Sequence, residues 1–250
     1  MPISGKYQAA TEEQIEFFRE HGFLVVIDAI QSAEIDLLRD RCQELLERKH
    51  ELALDWAWEK GQSKDQRSFK IVQADPRLVF PEIVEMDFRT WSISFASALM
   101  GRSVSFWYDQ YIAKPPHDGA ETYWHQDEAY WGKNLDDKGV TCWMPLQDVD
   151  ESNGCMHFTD RGHLDGMLEH ARPDHIKSDL LFCRPDIDRT VACPIDQCSV
   201  TFHHGKTPHM TMPNNSDRWR QAITTHMSVG GAISGGPYSW YVPVKQRTAT

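Results

Sequence analysis

A histidine and an aspartate stand two residues apart in the segment TYWHQDEAYW, as His125 and Asp127. On an extended chain this spacing points both side chains to the same side, so an imidazole and a carboxylate are placed to bind one metal ion. His209, which follows 84 residues after His125, is a third candidate ligand. Two imidazoles and one carboxylate on one face leave three positions of an octahedral metal open, which is the donor set of non-haem Fe(II) oxygenases.

The third ligand is not settled by spacing alone. His203, His204 and His226 lie in the same stretch of sequence as His209, and each competes with it for the third position. A His-x-Asp pair by itself is also frequent by chance. The sequence therefore predicts a metal site at His125 and Asp127, with four histidines as candidates for its third ligand.

Eleven residues after His209, Arg220 begins an otherwise apolar run that is typical of a strand, RQAITTHMSV. An arginine that faces inward is costly unless it meets a carboxylate, and its planar fork suits a bidentate carboxylate contact. We therefore expect Arg220 to bind a carboxylate-bearing ligand. The alternative is a structural salt bridge, and Arg218, two residues earlier, is a rival for the same face.

The first hundred residues, which lead up to these side chains, are predicted to be largely helical. Thr11 and Gln14 form a capping-box pattern, Gly22 stands where that helix would stop, and a short strand is expected at 23–27. Residues 51–85 carry no clear period and are a candidate lid. Two further helices are predicted from apolar residues at helical spacing, namely Ile35, Leu38, Cys42, Leu45 and Leu46, and then Phe88, Trp91, Phe95 and Leu99 before Gly101.

The chain then changes to short runs rich in Val, Ile, Thr and aromatic residues. Strands at such spacing favour a sandwich or barrel, and the segment DESNG at 150–154 predicts a hairpin loop. We expect a mainly β fold with peripheral helices and a double-stranded β-helix core of the jelly-roll, cupin-like type. One domain is predicted over 1–250, with a helical part at about 11–101 and a jelly-roll core at about 102–230; the tail at 242–250 is expected to be disordered.

Composition narrows the range of partners. The 250 residues include 26 basic and 37 acidic side chains, a net charge of -11, with no local basic patch. Such a surface repels phosphate backbones and anionic lipid heads, so we expect a small-molecule substrate and neither nucleic acid nor membrane as partner. The N-terminal residues lack a signal-peptide pattern and no apolar run is long enough to span a membrane, which predicts a cytoplasmic protein whose six cysteines are reduced thiols.

The segments TYWHQD, NGCMHF and HHGKTPHMTMPNNSDRWRQAITTH together resemble the phytanoyl-CoA dioxygenase family of Fe(II)- and 2-oxoglutarate-dependent oxygenases. The resemblance extends from about residue 11 to residue 229. It implies that His125, Asp127 and His209 bind iron and that Arg220 binds the distal carboxylate of 2-oxoglutarate. The implied cofactors are Fe(II), 2-oxoglutarate as cosubstrate and O2, with release of succinate and CO2.

The resemblance also implies roles for residues outside the triad. The KPP motif at 114–116 matches the family and positions a strand on which Gln110 faces the cosubstrate. Thr211, Lys70 and Trp143 are expected at the same cosubstrate site. Independently of the resemblance, aromatic and acidic side chains beside the iron motif suit a small organic substrate, and three residues there are expected to contact it: Glu128, Tyr130 and Trp131.

The predicted reaction is hydroxylation of a small metabolite. Desaturation, epoxidation or ring formation in natural-product biosynthesis would use the same cofactors, and acidic residues near the motif favour a cationic or amine-bearing substrate. Two other classes are a Zn2+-dependent hydrolase with the same ligands and a non-catalytic jelly-roll binding module. Arg220 discriminates against the hydrolase, since hydrolysis needs no carboxylate-binding arginine there.

Overall fold

The computed structural model describes residues 6–55, 58–59, 69–131, 139–172, 176–177 and 180–229. Its five α-helices are α1 (Glu12–His21), α2 (Ser32–Glu47), α3 (Lys49–Leu52), α4 (Asp87–Met100) and α5 (Glu128–Trp131). Short 3-10 helices cover Pro76–Leu78, Pro81–Glu85, Gly162–Asp165 and Ile187–Arg189. No helix within the described ranges combines the length and the apolar character needed to cross a membrane.

Most strands form two antiparallel sheets. The larger sheet has seven strands in the order β1 (Phe23–Val26), β11 (Val200–His204), β7 (Gly139–Pro145), β13 (Arg220–Val229), β5 (Val104–Lys114), β4 (Val72–Ala74) and β2 (Leu54–Asp55). The smaller sheet has four strands in the order β10 (Thr190–Cys193), β8 (Met156–Thr159), β12 (His209–Thr211) and β6 (Thr122–His125). A separate pair joins β3 (Trp58–Glu59) to β9 (Ile176–Lys177). The predicted jelly-roll fold with peripheral helices is confirmed.

The helices follow the sequence signals closely. Thr11 caps α1, since its hydroxyl accepts a hydrogen bond from the backbone of Gln14 while the Gln14 side chain accepts from the Thr11 backbone. Gly22 ends α1 with φ of +81°, a left-handed conformation that glycine adopts at little cost. The predicted stripes of α2 and α4 are buried.

The two larger hydrophobic clusters of the described residues hold the layers together. The larger core lies between the helices and the outer face of the seven-stranded sheet, where Leu38 and Phe95 meet strand residues such as Ile223 and Phe202. The smaller core lies between the two sheets. Because side chains alternate along a strand, β13 directs Ile223 and Met227 toward the helices and Arg220, Thr224 and His226 toward the cavity between the sheets. That alternation gives the inner space its chemistry.

Two expectations need correction. Residues 150–154 do not close a hairpin, because β7 belongs to the larger sheet and β8 to the smaller one, so the loop crosses between sheets. Residues 51–85 are not without structure either, since β2 and β4 extend the larger sheet beyond β5. Residues 56–57, 60–68 and 230–250 lie outside the described part of the chain, so the lid and the disordered tail stay predictions, as does the division into one domain.

The cysteines all lie in the protein interior. All six are buried and free, and none forms a disulfide. Burial raises the pKa of Cys42 and Cys193 to about 12. A thiol that remains protonated at neutral pH is a weak nucleophile, so these residues are part of the hydrophobic packing.

Candidate metal centre

The smaller sheet brings the two candidate histidines together. β6 ends at His125, and β12 begins at His209, which is the register partner of His125. Asp127 follows β6 in the turn that enters α5. One atom from each of these three side chains lies within 4.8 Å of the others, an arrangement that could hold a metal ion.

Backbone contacts orient both imidazoles. Nδ1 of His125 lies 2.7 Å from the carbonyl of Tyr123, and Nδ1 of His209 lies 2.9 Å from the carbonyl of Thr207. A carbonyl only accepts, so each Nδ1 carries a proton and each Nε2 keeps its lone pair. Both Nε2 atoms face the same carboxylate oxygen, Oδ1 of Asp127, at 3.8 and 3.6 Å.

The second oxygen of Asp127 is held from the larger sheet. Its Oδ2 accepts a hydrogen bond from the Thr141 hydroxyl at 2.6 Å and lies 3.1 Å from Nε2 of His203. Nδ1 of His226 lies 3.0 Å from the Thr141 hydroxyl. Because the Thr141 proton is given to Asp127, the hydroxyl accepts from His226. These contacts fix the carboxylate so that Oδ1 faces the two imidazoles.

The structure therefore separates the four competing histidines. His209 faces Oδ1 of Asp127, whereas His203 and His226 lie on its Oδ2 side. His204 points elsewhere, since its Nδ1 accepts a hydrogen bond from the backbone of Lys206 at 3.0 Å. Sequence reasoning did not anticipate the supporting role of Thr141, because a threonine in a strand carries no distinguishing signal.

Burial sets the protonation states of the cluster. It lowers the pKa of His125 and holds that of His209 well below its ordinary value. Burial alone would raise the pKa of Asp127, but the neighbouring imidazoles, His209 first, hold it well below its usual range. Neutral imidazoles beside an ionised carboxylate are the states that bind a divalent metal.

Arg220 lies in the same cavity as the three candidate ligands. It is only 2% exposed, yet it forms no ion pair with any carboxylate in the described part of the chain. One guanidinium nitrogen lies 3.4 Å from the Thr211 hydroxyl, and Nε has no hydrogen-bond partner. Burial lowers its pKa to about 10. Its rival Arg218 is exposed, because β13 begins only at Arg220 and strand alternation does not extend back to it.

Three of the four residues expected at the cosubstrate line this cavity: Gln110, Thr211 and Trp143. Lys70 does not. Its ammonium pairs with Asp118 at the start of the segment leading to β6. Lys70 thus lies outside the lining of this cavity, and its role at the cosubstrate stays a prediction.

The residues expected at the substrate, Glu128, Tyr130 and Trp131, do not line the cavity either. Trp131 donates from Nε1 to the Tyr108 hydroxyl, and Glu128 is buried, its side chain packed close to Gly205. Tyr130 accepts from the Leu181 backbone and meets the ring of His125 edge-on. All three belong to α5, and their contact with a substrate stays a prediction. The preference for an amine substrate stays a prediction.

The fold and the site define the class: a double-stranded β-helix protein with a His-Asp-His cluster able to bind a metal and a buried arginine in the same cavity. The model of the phytanoyl-CoA dioxygenase (PhyH) family matches residues 18–222. The chain belongs to the phytanoyl-CoA dioxygenase family, and the resemblance seen in its motifs is confirmed.

Individual relatives agree with this assignment. Phytanoyl-CoA dioxygenase domain-containing protein 1 of Bos taurus is 28% identical over 142 residues, which cover 54% of this chain and 49% of that protein. The chain thus spans about half the length of this curated relative. EvdO2 from Micromonospora carbonacea var. aurantiaca, crystallised with 2-oxoglutarate, is 24% identical with a TM-score of 0.70, covering 93% of this chain and 97% of EvdO2. SnoK, a non-haem alpha-ketoglutarate-dependent carbocyclase from nogalamycin biosynthesis, is 24% identical with a TM-score of 0.71, covering 96% and 94%.

Proposed function

We propose that this protein is an Fe(II)- and 2-oxoglutarate-dependent dioxygenase that hydroxylates a small-molecule metabolite. The observation that carries the proposal is the buried Arg220, which lacks an acidic partner among the described residues and lines the same cavity as His125, Asp127 and His209. A buried cation is costly without a counter-charge, so a carboxylate-bearing ligand of the cavity accounts for it.

The residues fit the iron and the cosubstrate. Two neutral imidazoles and one ionised carboxylate on one side are the donor set of non-haem iron enzymes and leave positions for a bidentate cosubstrate and O2. The unpaired Nε of Arg220 fits the distal carboxylate of 2-oxoglutarate. EvdO2, which shares the fold, was crystallised with 2-oxoglutarate.

When bound, iron with 2-oxoglutarate and O2 supplies an oxidant that removes a substrate hydrogen, and the cosubstrate leaves as succinate and CO2. The chain's own residues bind, orient and exclude water. Arg220 and Thr211 hold one end of the cosubstrate, and Thr141 with His203 keeps Asp127 in place. Trp143, which is buried and lies with its ring 5.8 Å from the Arg220 guanidinium carbon, shields that ion pair from solvent.

Hydroxylation is the proposed outcome, and the substrate class is a small organic metabolite. SnoK catalyses a carbocyclisation on the same fold, and the outcome depends on where the substrate carbon lies relative to the oxidant. The carboxylate of Asp127 supports hydroxylation over halogenation, since it occupies the metal position that a halide would need.

The test is anaerobic titration of Fe(II) and then 2-oxoglutarate into metal-free protein. We expect a weak visible absorption band from the chelate, lost in His125→Ala and in Arg220→Ala. Succinate release in air, screened over small metabolites, then identifies the substrate. A protein that retains Zn2+, shows no band and releases no succinate would instead be a hydrolase or a binding module.

A further inference from the structure

Lys114, the last residue of β5, is a buried lysine beside the cavity. Its side chain is fully enclosed, and Nζ donates to the Thr211 hydroxyl at 2.7 Å, to the Thr211 carbonyl at 3.0 Å and to the Met212 carbonyl at 2.8 Å. These three acceptors match the three protons of an ammonium group. No ion pair to Lys114 is formed within the part of the chain that the structure describes.

Lys114 and Arg220 are direct partners in the register of β5 and β13. Both are buried, and both lie within reach of one oxygen, Oγ1 of Thr211. Like charges placed opposite each other destabilise a strand pair. Burial, and then repulsion by Arg220, hold the pKa of Lys114 well below its ordinary value. An anion in the adjoining cavity would offset both costs.

Hydrogen-bond accounting shows what Thr211 has left to offer. The guanidinium only donates, and so does the ammonium. The Thr211 oxygen therefore accepts from both Lys114 and Arg220, and its own hydrogen is left for another acceptor. Thr211 lines the cavity, so the acceptor for that hydrogen would be a group bound there.

We propose that Lys114 is a positioning residue for a dicarboxylate cosubstrate. It orients the Thr211 hydroxyl so that this hydroxyl and Arg220 together bind the distal carboxylate. The inference rests on the proposed function, and it explains why a lysine and an arginine are buried as register partners next to Thr211. A 2-oxo acid without a distal carboxylate gains nothing from this arrangement.

The experiment compares two ligands by anaerobic calorimetry with Fe(II)-loaded protein. 2-Oxoglutarate carries the distal carboxylate, whereas oxalate binds a metal by bidentate chelation without one. For Lys114→Met we expect the affinity for 2-oxoglutarate to fall about ten- to a hundredfold, the size expected for hydrogen bonds to a charged group, with oxalate changed by about twofold or less. Lys114→Gln, which keeps donors but removes the charge, serves as a second variant with an intermediate loss.

Two controls separate a positioning role of Lys114 from general support of the segments that follow β5 and β12. Asn214 donates to the carbonyls of Lys114, Pro115 and Arg218. It therefore stabilises the same segments without a hydrogen bond to Thr211. Asn214→Ala should lower stability and leave the preference for 2-oxoglutarate over oxalate unchanged. In a Thr211→Val background, Lys114→Met should cost little further affinity, because the hydroxyl through which it acts is gone.

The outcomes are distinct. If wild-type protein binds oxalate and binds 2-oxoglutarate no more tightly, the proposed function itself is overturned. Wild-type protein that prefers 2-oxoglutarate, with Lys114→Met or Lys114→Gln showing the same preference, overturns only the role of Lys114. An equal loss for both ligands, or full additivity with Thr211→Val, likewise overturns it.

Discussion

Arg220 carries a buried positive charge that no described carboxylate neutralises, and this makes it the sharpest single-residue test of the site. Removing one partner of a buried charge pair costs about 2–5 kcal/mol. Arg220→Ala should therefore raise the apparent KM for 2-oxoglutarate by about thirtyfold or more, with a smaller change in kcat at saturating cosubstrate. Steady-state succinate assays across a range of 2-oxoglutarate concentrations measure both constants.

The control for this prediction is Arg218→Ala, since Arg218 is exposed and lies just outside β13. It should leave the KM for 2-oxoglutarate near the wild-type value. The reverse result, a raised KM in Arg218→Ala alone, would contradict the assignment of Arg220. Arg220→Lys should recover little, because an ammonium cannot reproduce a bidentate guanidinium contact.

Single residues differ in how far the sequence reveals them. His125 and Asp127 could be predicted, since two residues of separation constrain their direction in any extended segment. Spacing alone could not separate His209 from His203 or His226, because that choice depends on which sheet each strand joins; only the family resemblance favoured His209. The contacts of Lys114 were not predicted, although Gln110, four residues earlier on the same strand, was expected to face the cavity.

At the scale of elements, α5 links the metal site to the start of β7. A Cβ atom at Gly139 would lie 1.7 Å from the ring of Trp131, the last residue of α5. Gly139→Ala therefore forces α5 to shift, at a cost of about 1–3 kcal/mol typical of overpacking. Because Asp127 directly precedes α5, we expect weaker Fe(II) binding as well, measured by metal titration alongside urea unfolding.

Gly101→Ala is the matched control, because nothing lies within 4 Å of an added Cβ there. Gly101 has φ of +64°, so the change costs backbone strain at the end of α4 but does not reach α5. It should lower stability without altering Fe(II) affinity. Equal metal affinity in Gly139→Ala and wild type would mean that α5 does not hold Asp127.

The elements themselves were largely predictable, and their assignment to sheets was not. Capping at Thr11 and the stop at Gly22 depend on local chemistry, which the sequence contains in full. The loop at 150–154 has turn residues, and Gly154 adopts φ of +89°, yet the strands on either side belong to different sheets. Local propensity does not encode the partner of a strand, since pairing depends on residues far along the chain.

At the scale of the whole molecule, burial of the histidine cluster couples stability to pH. Burial lowers the pKa of His226 to about 4, and lowers those of His125 and His209 as well. In the unfolded chain a histidine titrates near pH 6.5, so between these values the unfolded state binds protons that the folded state does not. Above about pH 6.5 His226 is neutral in both states and does not lower the free energy of unfolding. As the pH falls, protonation of His226 in the unfolded chain lowers the free energy of unfolding, by an amount on the order of 3 kcal/mol at pH 4.

Urea unfolding of metal-free protein between pH 7.5 and pH 5 measures this slope, and we expect stability to fall as the solution is acidified. His226→Gln removes one titrating group and should give a shallower slope, because a neutral amide takes up no proton in either state. Fe(II) under anaerobic conditions should stabilise the folded state and steepen the pH dependence, since protons compete with the metal for imidazole. Parallel slopes for the variant and wild type would mean that His226 keeps its ordinary pKa in the folded protein.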